Sequence, residues 1–491
     1  MLMNDSKRGI IKRIKNMLSN KEISCKELTE KYLAEIKKSN LNAYVTVCED
    51  EAYKNSEKVD KKISSGQEIE FLEGVPMALK DIISTDGIET TCCSKILSGY
   101  KPIFDATVWE KLKKRGAVLL GKLNMDEFAM GSSCENSCIG GAKNPHNTNH
   151  VSGGSSGGSA SAVAGNIACY TLGTDTGGSV RQPASFCGVV GLKPTYGAVS
   201  RYGVIAYASG FDQVGPIAQT AEDVSLVFDA ISGYDFRDST SNPSAKMHTF
   251  SELNNDISGL KIGIPKEYYD GVDQEIKSSI EEAIKIYESM GANVEYFDFP
   301  EVKYSLPVYY ILACAEATSN LARFDGVRYG YRTEHYKDIN EMICKTRSEG
   351  FGREVKRRIL LGNYVLSSGY YDAYYKKAQN LRAVITRAFE RAFEKYDILI
   401  TPTSPVTAFE CNKKFSNPQE IYLADICTVP VNTVGIPGVS VPCGFDSKGL
   451  PIGMQILGPK FSEPKLLNAA HKYEVFTDYQ NNKCVEMGVR L

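Results

Sequence analysis

Two serines and a lysine give this chain its most reactive combination of side chains. The serines sit in glycine-rich turns, Gly153-Gly154-Ser155-Ser156-Gly157-Gly158-Ser159 and Thr174-Asp175-Thr176-Gly177-Gly178-Ser179, and the lysine closes Gly74-Val75-Pro76-Met77-Ala78-Leu79-Lys80. Acyl chemistry needs a nucleophile, a base and donors for a developing oxyanion. Ser155 and Ser179 are the candidate nucleophile and its helper. The backbone N–H groups of Thr176, Gly177, Gly178 and Ser179 are candidate oxyanion donors, because glycine leaves them open. A helix beginning near Ser179 would add its positive end. Ser156 and Ser159 read as turn and cap residues. Histidine is the usual base, yet the chain has only five, and none of His146, His150, His248, His335 and His471 lies in a motif that presents it to a serine. A lysine can replace it once burial has made it neutral. Lys80 follows an apolar run, which suits burial; a surface lysine near a turn, or a partner for the neighbouring Asp81, are the competing readings.

The elements that must carry these residues alternate helix, strand and glycine turn, the rhythm of a layered α/β fold. Apolar periodicity predicts amphipathic helices over 6–20 and 26–39, the second opened by Ser24 or Glu22. A helix over 107–115 feeds a strand at 117–120. A helix continues from the first glycine turn through 160–164, and a strand at 169–172 enters the second. Further strands are expected at 260–264 and 398–400, a hairpin at 439–442 and 451–457, and helices at 278–290, 308–324 and 367–394. Residues 236–256, rich in Ser, Asn and Asp, read as a surface loop. The predicted organisation is an N-terminal helical segment, about residues 1–60, packed on one domain, 61–491. That domain has a core at about 70–220 and a helical, substrate-side region at about 300–395.

Several functions are disfavoured. The stretch Gly116-Ala117-Val118-Leu119-Leu120-Gly121-Lys122-Leu123 has P-loop spacing but no final Ser or Thr, and its interior is apolar where a phosphate needs open backbone. Cys134 and Cys138 lack a second pair at metal-ligand spacing, and His146 and His150 fall in a Pro- and Asn-rich loop, so no metal is expected. A net charge of −2 over 491 residues argues against a dominant nucleic-acid surface. The fourteen cysteines lie among apolar neighbours. With a basic start that has no apolar core, and no apolar run of membrane-span length, they read as reduced thiols of a cytoplasmic protein with no membrane partner.

Taken together, the segments 74–81 and 153–195 resemble the amidase signature family. They include Gly173-Thr174-Asp175-Thr176-Gly177-Gly178-Ser179-Val180-Arg181-Gln182-Pro183 and Gly188-Val189-Val190-Gly191-Leu192-Lys193-Pro194-Thr195. The resemblance implies a central mixed β-sheet flanked by helices on both faces. It also implies a Ser–cisSer–Lys triad, with Ser179 as nucleophile, Ser155 as the bridging serine after a cis peptide, and Lys80 as base. The segments 121–131, 319–330, 347–358 and 368–375 are similar to the glutamine-hydrolysing branch of the family that serves tRNA-dependent amidotransferases. This implies glutamine as ammonia donor, held by Tyr309, Arg358 and Asp425. A guanidinium suits the α-carboxylate and a carboxylate suits the α-ammonium. Tyr310 competes with Tyr309, and a core tyrosine, a solvated basic helix and a helix cap are the plain readings of Tyr309, Arg358 and Asp425. The same resemblance implies two partners, the B and C subunits of such a complex. The B partner would hold mischarged Glu-tRNA(Gln) or Asp-tRNA(Asn) and use ATP and Mg²⁺, with no cofactor on this chain. A free-standing amidase acting on aliphatic or aryl amides is the alternative, and a non-catalytic scaffold the rival from another class.

Overall fold

The computed structural model describes residues 9–414, 423–477 and 488–489. Its strands are β1 (Tyr44–Val47), β2 (Pro76–Lys80), β3 (Val118–Leu123), β4 (Tyr170–Asp175), β5 (Val190–Lys193), β6 (Gln213–Ala218), β7 (Lys261–Pro265), β8 (Asn293–Phe297), β9 (Ile398–Pro402), β10 (Gly438–Phe445) and β11 (Pro451–Leu457). They form one mixed sheet in the order β1-β3-β2-β4-β6-β5-β10-β11-β9-β7-β8. Neighbours β3–β2, β2–β4, β9–β7 and β7–β8 run parallel. The remaining pairs are antiparallel. The α/β fold with a mixed sheet is as expected. β1 lies inside the segment read as helical and pairs with β3 at the sheet edge.

Burial explains the strands that matter for chemistry. Every residue of β2, β3 and β4 is buried, as in strands covered by helices on both faces. β2 and β4 are parallel, with Leu79 opposite Leu172. Lys80 and Asp175 therefore close adjacent strands at the same edge, the carboxyl ends where α/β sheets bind ligands. The first glycine turn enters helix Gly157–Ala164, whose residues are all buried. Its small residues permit this, since a Cβ on Gly158 would lie 2.5 Å from the Asn124 carbonyl oxygen.

Helices Ser305–Asn320 and Arg353–Leu366 pack against each other and carry Tyr309 and Arg358. Their approach is set by Gly362, where a Cβ would fall 2.1 Å from the Cys314 carbonyl oxygen and 2.2 Å from Thr318 Oγ1.

Other expectations met mixed outcomes. The two N-terminal helices are Ile10–Ser19 and Cys25–Lys38, and Ser24 caps the second in a capping box with Glu27. The strand expected at 117–120 extends to Leu123, because Lys122 is buried beside Asp81 and bonded to Thr90. The helix expected over 367–394 begins with a π-turn, Asp372–Lys376, before helix Lys377–Lys395. Tyr364, Tyr370 and Tyr374 cluster there, with ring centroids 4.2 to 6.0 Å apart. Residues 236–256 are largely irregular but not merely superficial: Asp238 and Thr240 hold the Arg201 guanidinium, and Ser241, Ala245 and Thr249 are buried. Among the described residues no group of His, Cys, Asp or Glu could hold a metal, no helix is long and apolar enough to cross a membrane, and every cysteine is a free thiol.

Alanine is the better helix former, so an unconstrained Gly362→Ala change would stabilise the protein by up to about 1 kcal/mol. The contact with Cys314 reverses the sign. Gly362→Ala should destabilise by about 2 kcal/mol in denaturant unfolding.

Candidate active site

Lys80 is fully buried, and its Nζ lies 2.7 Å from Ser155 Oγ, 2.8 Å from Ser156 Oγ and 2.9 Å from Thr174 Oγ1. The competing readings of Lys80 are thereby excluded: it is not a surface residue, and the buried Asp81 faces Lys122. Burial pulls the Lys80 pKa down to about 8, while the negative charges of Asp126, Asp175 and Asp212 oppose that shift. About a tenth of the amine is therefore neutral at pH 7.

The hydrogen-bond inventory orients that amine. Ser156 Oγ lies 3.2 Å from the Thr174 N–H and 3.1 Å from the Thr174 carbonyl oxygen. Its own proton goes to that carbonyl, so towards Lys80 it accepts. A neutral Lys80 giving one hydrogen to Ser156 and the other to Thr174, whose Oγ1 and carbonyl oxygen lie at 2.9 and 3.3 Å, turns its lone pair to the Ser155 hydroxyl. Ser156 therefore does more than the cap assigned to it from sequence. Neither it nor Thr174 was singled out as a partner for Lys80; their closeness to the serine turns was the available signal.

Ser179 stands at the rim, 8% exposed, whereas Lys80 and Ser155 are wholly buried. The Gly154–Ser155 peptide is cis. The Ser156 N–H donates to the Ser179 carbonyl at 3.1 Å, which ties the two glycine turns together. Among the described residues no hydrogen bond joins Ser179 Oγ to Ser155 Oγ. The chain of hydroxyls is made on the lysine side and open on the Ser179 side, a link that catalytic groups often tighten only around the reacting group.

The second turn is shaped by Asp175. Its carboxylate accepts from the N–H groups of Gly178 at 2.8 Å and Val180 at 3.1 Å, and from Arg181 Nε and Nη2, each at 3.1 Å. Burial would raise its pKa, but the Arg181 guanidinium outweighs that and keeps the carboxyl well below its ordinary range. This corrects one expected oxyanion donor. The Gly178 N–H is spent on Asp175, whereas those of Thr176, Gly177 and Ser179 have no acceptor among the described residues. Gly178 has φ +128° and packs on Thr428, so its glycine character serves the turn itself.

Tyr309, Arg358 and Asp425 come together beside this turn. A Cβ on Gly177 would meet Tyr309 Cζ at 2.6 Å and its hydroxyl at 2.7 Å, which puts the phenol end of Tyr309 against this turn. Tyr310 stands in the same cluster, its ring centroid 5.3 Å from the Arg358 guanidinium and 5.1 Å from the Tyr309 ring. Arg358 is buried, not part of a solvated face. Its Nε donates to Glu354 Oε1 and its Nη1 to Tyr207 Oη, both at 2.7 Å. The Asp425 backbone carbonyl accepts from the N–H groups of Thr428 and Val429, while its side chain turns away and accepts from Ser132 Oγ. Burial pushes the Asp425 carboxyl up to about 7, against the pull of Ser132 and Arg358. Sequence reasoning missed Tyr207 and Ser132, which lie far from their partners along the chain and in no glycine-rich motif.

A serine beyond the carboxyl ends of parallel strands, with open backbone donors beside it and a buried amine behind it, is an arrangement suited to acyl transfer. The family described as Amidase matches residues 27–467, and the chain belongs to that family. It is 54% identical to the A subunit of the glutamyl-tRNA(Gln) amidotransferase of Carboxydothermus hydrogenoformans, over 95% of this chain and 97% of that one. A protein of the same name from Clostridium botulinum is 52% identical, over 95% of this chain and 96% of that one. The crystal structure of the A subunit of the Thermotoga maritima glutamyl-tRNA(Gln) amidotransferase superposes with a TM-score of 0.78 at 39% identity, covering 96% of this chain and 95% of that one. A bacterial aryl acylamidase of the amidase signature family superposes with a TM-score of 0.84 at 25% identity, covering 99% of each chain.

With Lys80 as the base, kcat/KM for amide hydrolysis should fall about tenfold per pH unit below a midpoint near 8. Ser156→Ala removes an acceptor that favours the charged amine, so that midpoint should move to lower pH. The plateau should fall by about ten- to a hundredfold as the lone pair loses its direction. A pH–rate profile of both proteins checks both effects.

Proposed function

We propose that this chain is the glutamine-hydrolysing component of a tRNA-dependent amidotransferase. The observation that carries the reading is the buried Lys80 amine against Ser155, in a chain matching relatives named as amidotransferase A subunits over 95% of its length. Neutral Lys80 takes the Ser155 proton while Ser155 takes that of Ser179. Ser179 Oγ attacks the side-chain amide carbon of glutamine, and the N–H groups of Thr176, Gly177 and Ser179 receive the oxyanion. The tetrahedral species collapses, and the proton returned through Ser155 lets ammonia leave. Water then attacks the acyl-enzyme by the same proton route, giving glutamate and free Ser179.

The surrounding residues select the substrate. The Arg358 guanidinium suits the α-carboxylate, the Asp425 carboxylate suits the α-ammonium, and Tyr309 closes the space beside the oxyanion turn. The partners in this reading are the B and C subunits of a heterotrimer. The B partner binds Glu-tRNA(Gln), activates the glutamyl carboxylate with ATP and Mg²⁺ and accepts the ammonia. Asp-tRNA(Asn) is the alternative acceptor. The cytoplasm is the matching compartment.

The test is glutamine hydrolysis by the chain purified with its partners, with and without ATP and Glu-tRNA(Gln). Ser179→Ala should lower the rate by at least about a thousandfold. Arg358→Lys, which loses the two-pronged fork, should raise KM for glutamine by about tenfold or more. A protein that hydrolyses aliphatic or aryl amides alone, ignores glutamine and tolerates loss of Arg358 would be the free-standing amidase instead.

A further inference from the structure

Gln182 is fully buried one turn after Ser179 and joins two loops that otherwise serve different tasks. Its Nε2 donates to the Ser132 carbonyl at 3.0 Å, and its Oε1 accepts from the Gly154 N–H, also at 3.0 Å. Ser132 is the residue whose hydroxyl holds Asp425 Oδ2. Asp425 Oδ1 has no hydrogen-bond partner among the described residues. Gly154 precedes the bridging Ser155, whose Oγ meets Lys80. The packing is equally direct: a Cβ on Gly153 would lie 2.5 Å from Gln182 Oε1, and one on Gly154 would lie 2.7 Å from the Cys134 nitrogen and 2.8 Å from the Ser133 nitrogen. One amide side chain thus runs between the carboxylate at the substrate end and the backbone that sets the catalytic serine.

We infer that Ser132 and Gln182 are positioning residues that couple capture of the substrate α-ammonium at Asp425 to the placement of Ser155 against Lys80. This rests on the proposed reading of Asp425 as the ammonium's partner. An ammonium seated on the open Oδ1 draws the Asp425 carboxylate, and with it Ser132, into one position. Gln182 passes that position to Gly154, so binding energy from a non-reacting part of the substrate is used to orient the reacting groups. The amide suits this task because it offers a donor to one loop and an acceptor to the other. Neither residue touches the scissile amide in this scheme, so neither is a catalytic residue.

The distinguishing readout is kcat on glutamine against kcat on glutaramic acid, which is glutamine without its α-amine. With the complete enzyme, glutamine should lead by about tenfold or more. In Gln182→Met, which keeps side-chain length and loses both hydrogen bonds, the two kcat values should agree to within about twofold, mainly through loss of rate on glutamine. Ser132→Ala, a smaller change that should keep the fold if Gln182→Met does not, should also collapse the kcat ratio. The double variant should fall no further than either single one, because both break the same connection. A Gln182→Met or Ser132→Ala enzyme that slows on both substrates equally and keeps the ratio would overturn the coupling and leave the glutaminase reading intact. An unmodified enzyme indifferent to the α-amine in both kcat and KM would remove the role of Asp425 and the coupling with it.

Discussion

A lysine amine cut off from water is the constraint on which the site depends. Burying Lys80 between Ser155, Ser156 and Thr174 penalises its charged form, and among the described residues no carboxylate is hydrogen-bonded to it that would restore the charge. The nearby acids Asp126 and Asp212 are themselves buried, and burial raises each to about 6. They stay occupied with their own donors: Asp126 with the N–H groups of Cys134 and Asn136, Asp212 with Thr176, Tyr207 and Ala208. The amine is thus left at about 8, high enough to accept a proton strongly and low enough to be partly neutral in the cell.

Around that amine the protein spends most of its buried polarity on rigidity. Asp175 and Arg181 form a wholly buried ion pair. Asn432 donates to Asp175 at 2.8 Å, and the Arg181 Nη1 finds the Thr428 carbonyl at 3.1 Å and Gln455 Oε1 at 3.0 Å. A buried pair contributes little net stability, but leaving either member alone is costly, so such a pair holds a geometry strongly. Here the geometry is the turn that orients the N–H groups of Thr176, Gly177 and Ser179. The partners come from β11 and from the short helix Val429–Val434, which follows Asp425. The segment that carries Asp425 and the second glycine turn are therefore braced by the same network.

Much of this was legible in the sequence. The glycine turns, the apolar run before Lys80 and the alternation of helix and strand place the lysine and the two serines, because glycine spacing and apolar patterning are local signals. The roles of Tyr309, Arg358 and Asp425 came only from resemblance, since a tyrosine in a helix or an arginine in a basic run looks ordinary until the fold buries it. Ser132, Tyr207 and Gln182 escaped for a different reason. Each is defined by a partner far away in the chain, and only the packing of loops at the sheet edge brings them together. The mistake over Gly178 has a similar origin: its N–H is open in sequence, but Asp175, three residues earlier, folds back to claim it.

The most direct measurement is the protonation of Lys80 itself. Isotopic labelling of lysine side chains, with Lys80→Met to assign the signal, would allow the amine to be titrated by NMR in the intact protein. A midpoint near 8, well below that of exposed lysines, is the expected result. A Lys80 signal that titrates with the surface lysines above pH 10 would mean a charged amine at the working pH, and a base that cannot accept the Ser155 proton.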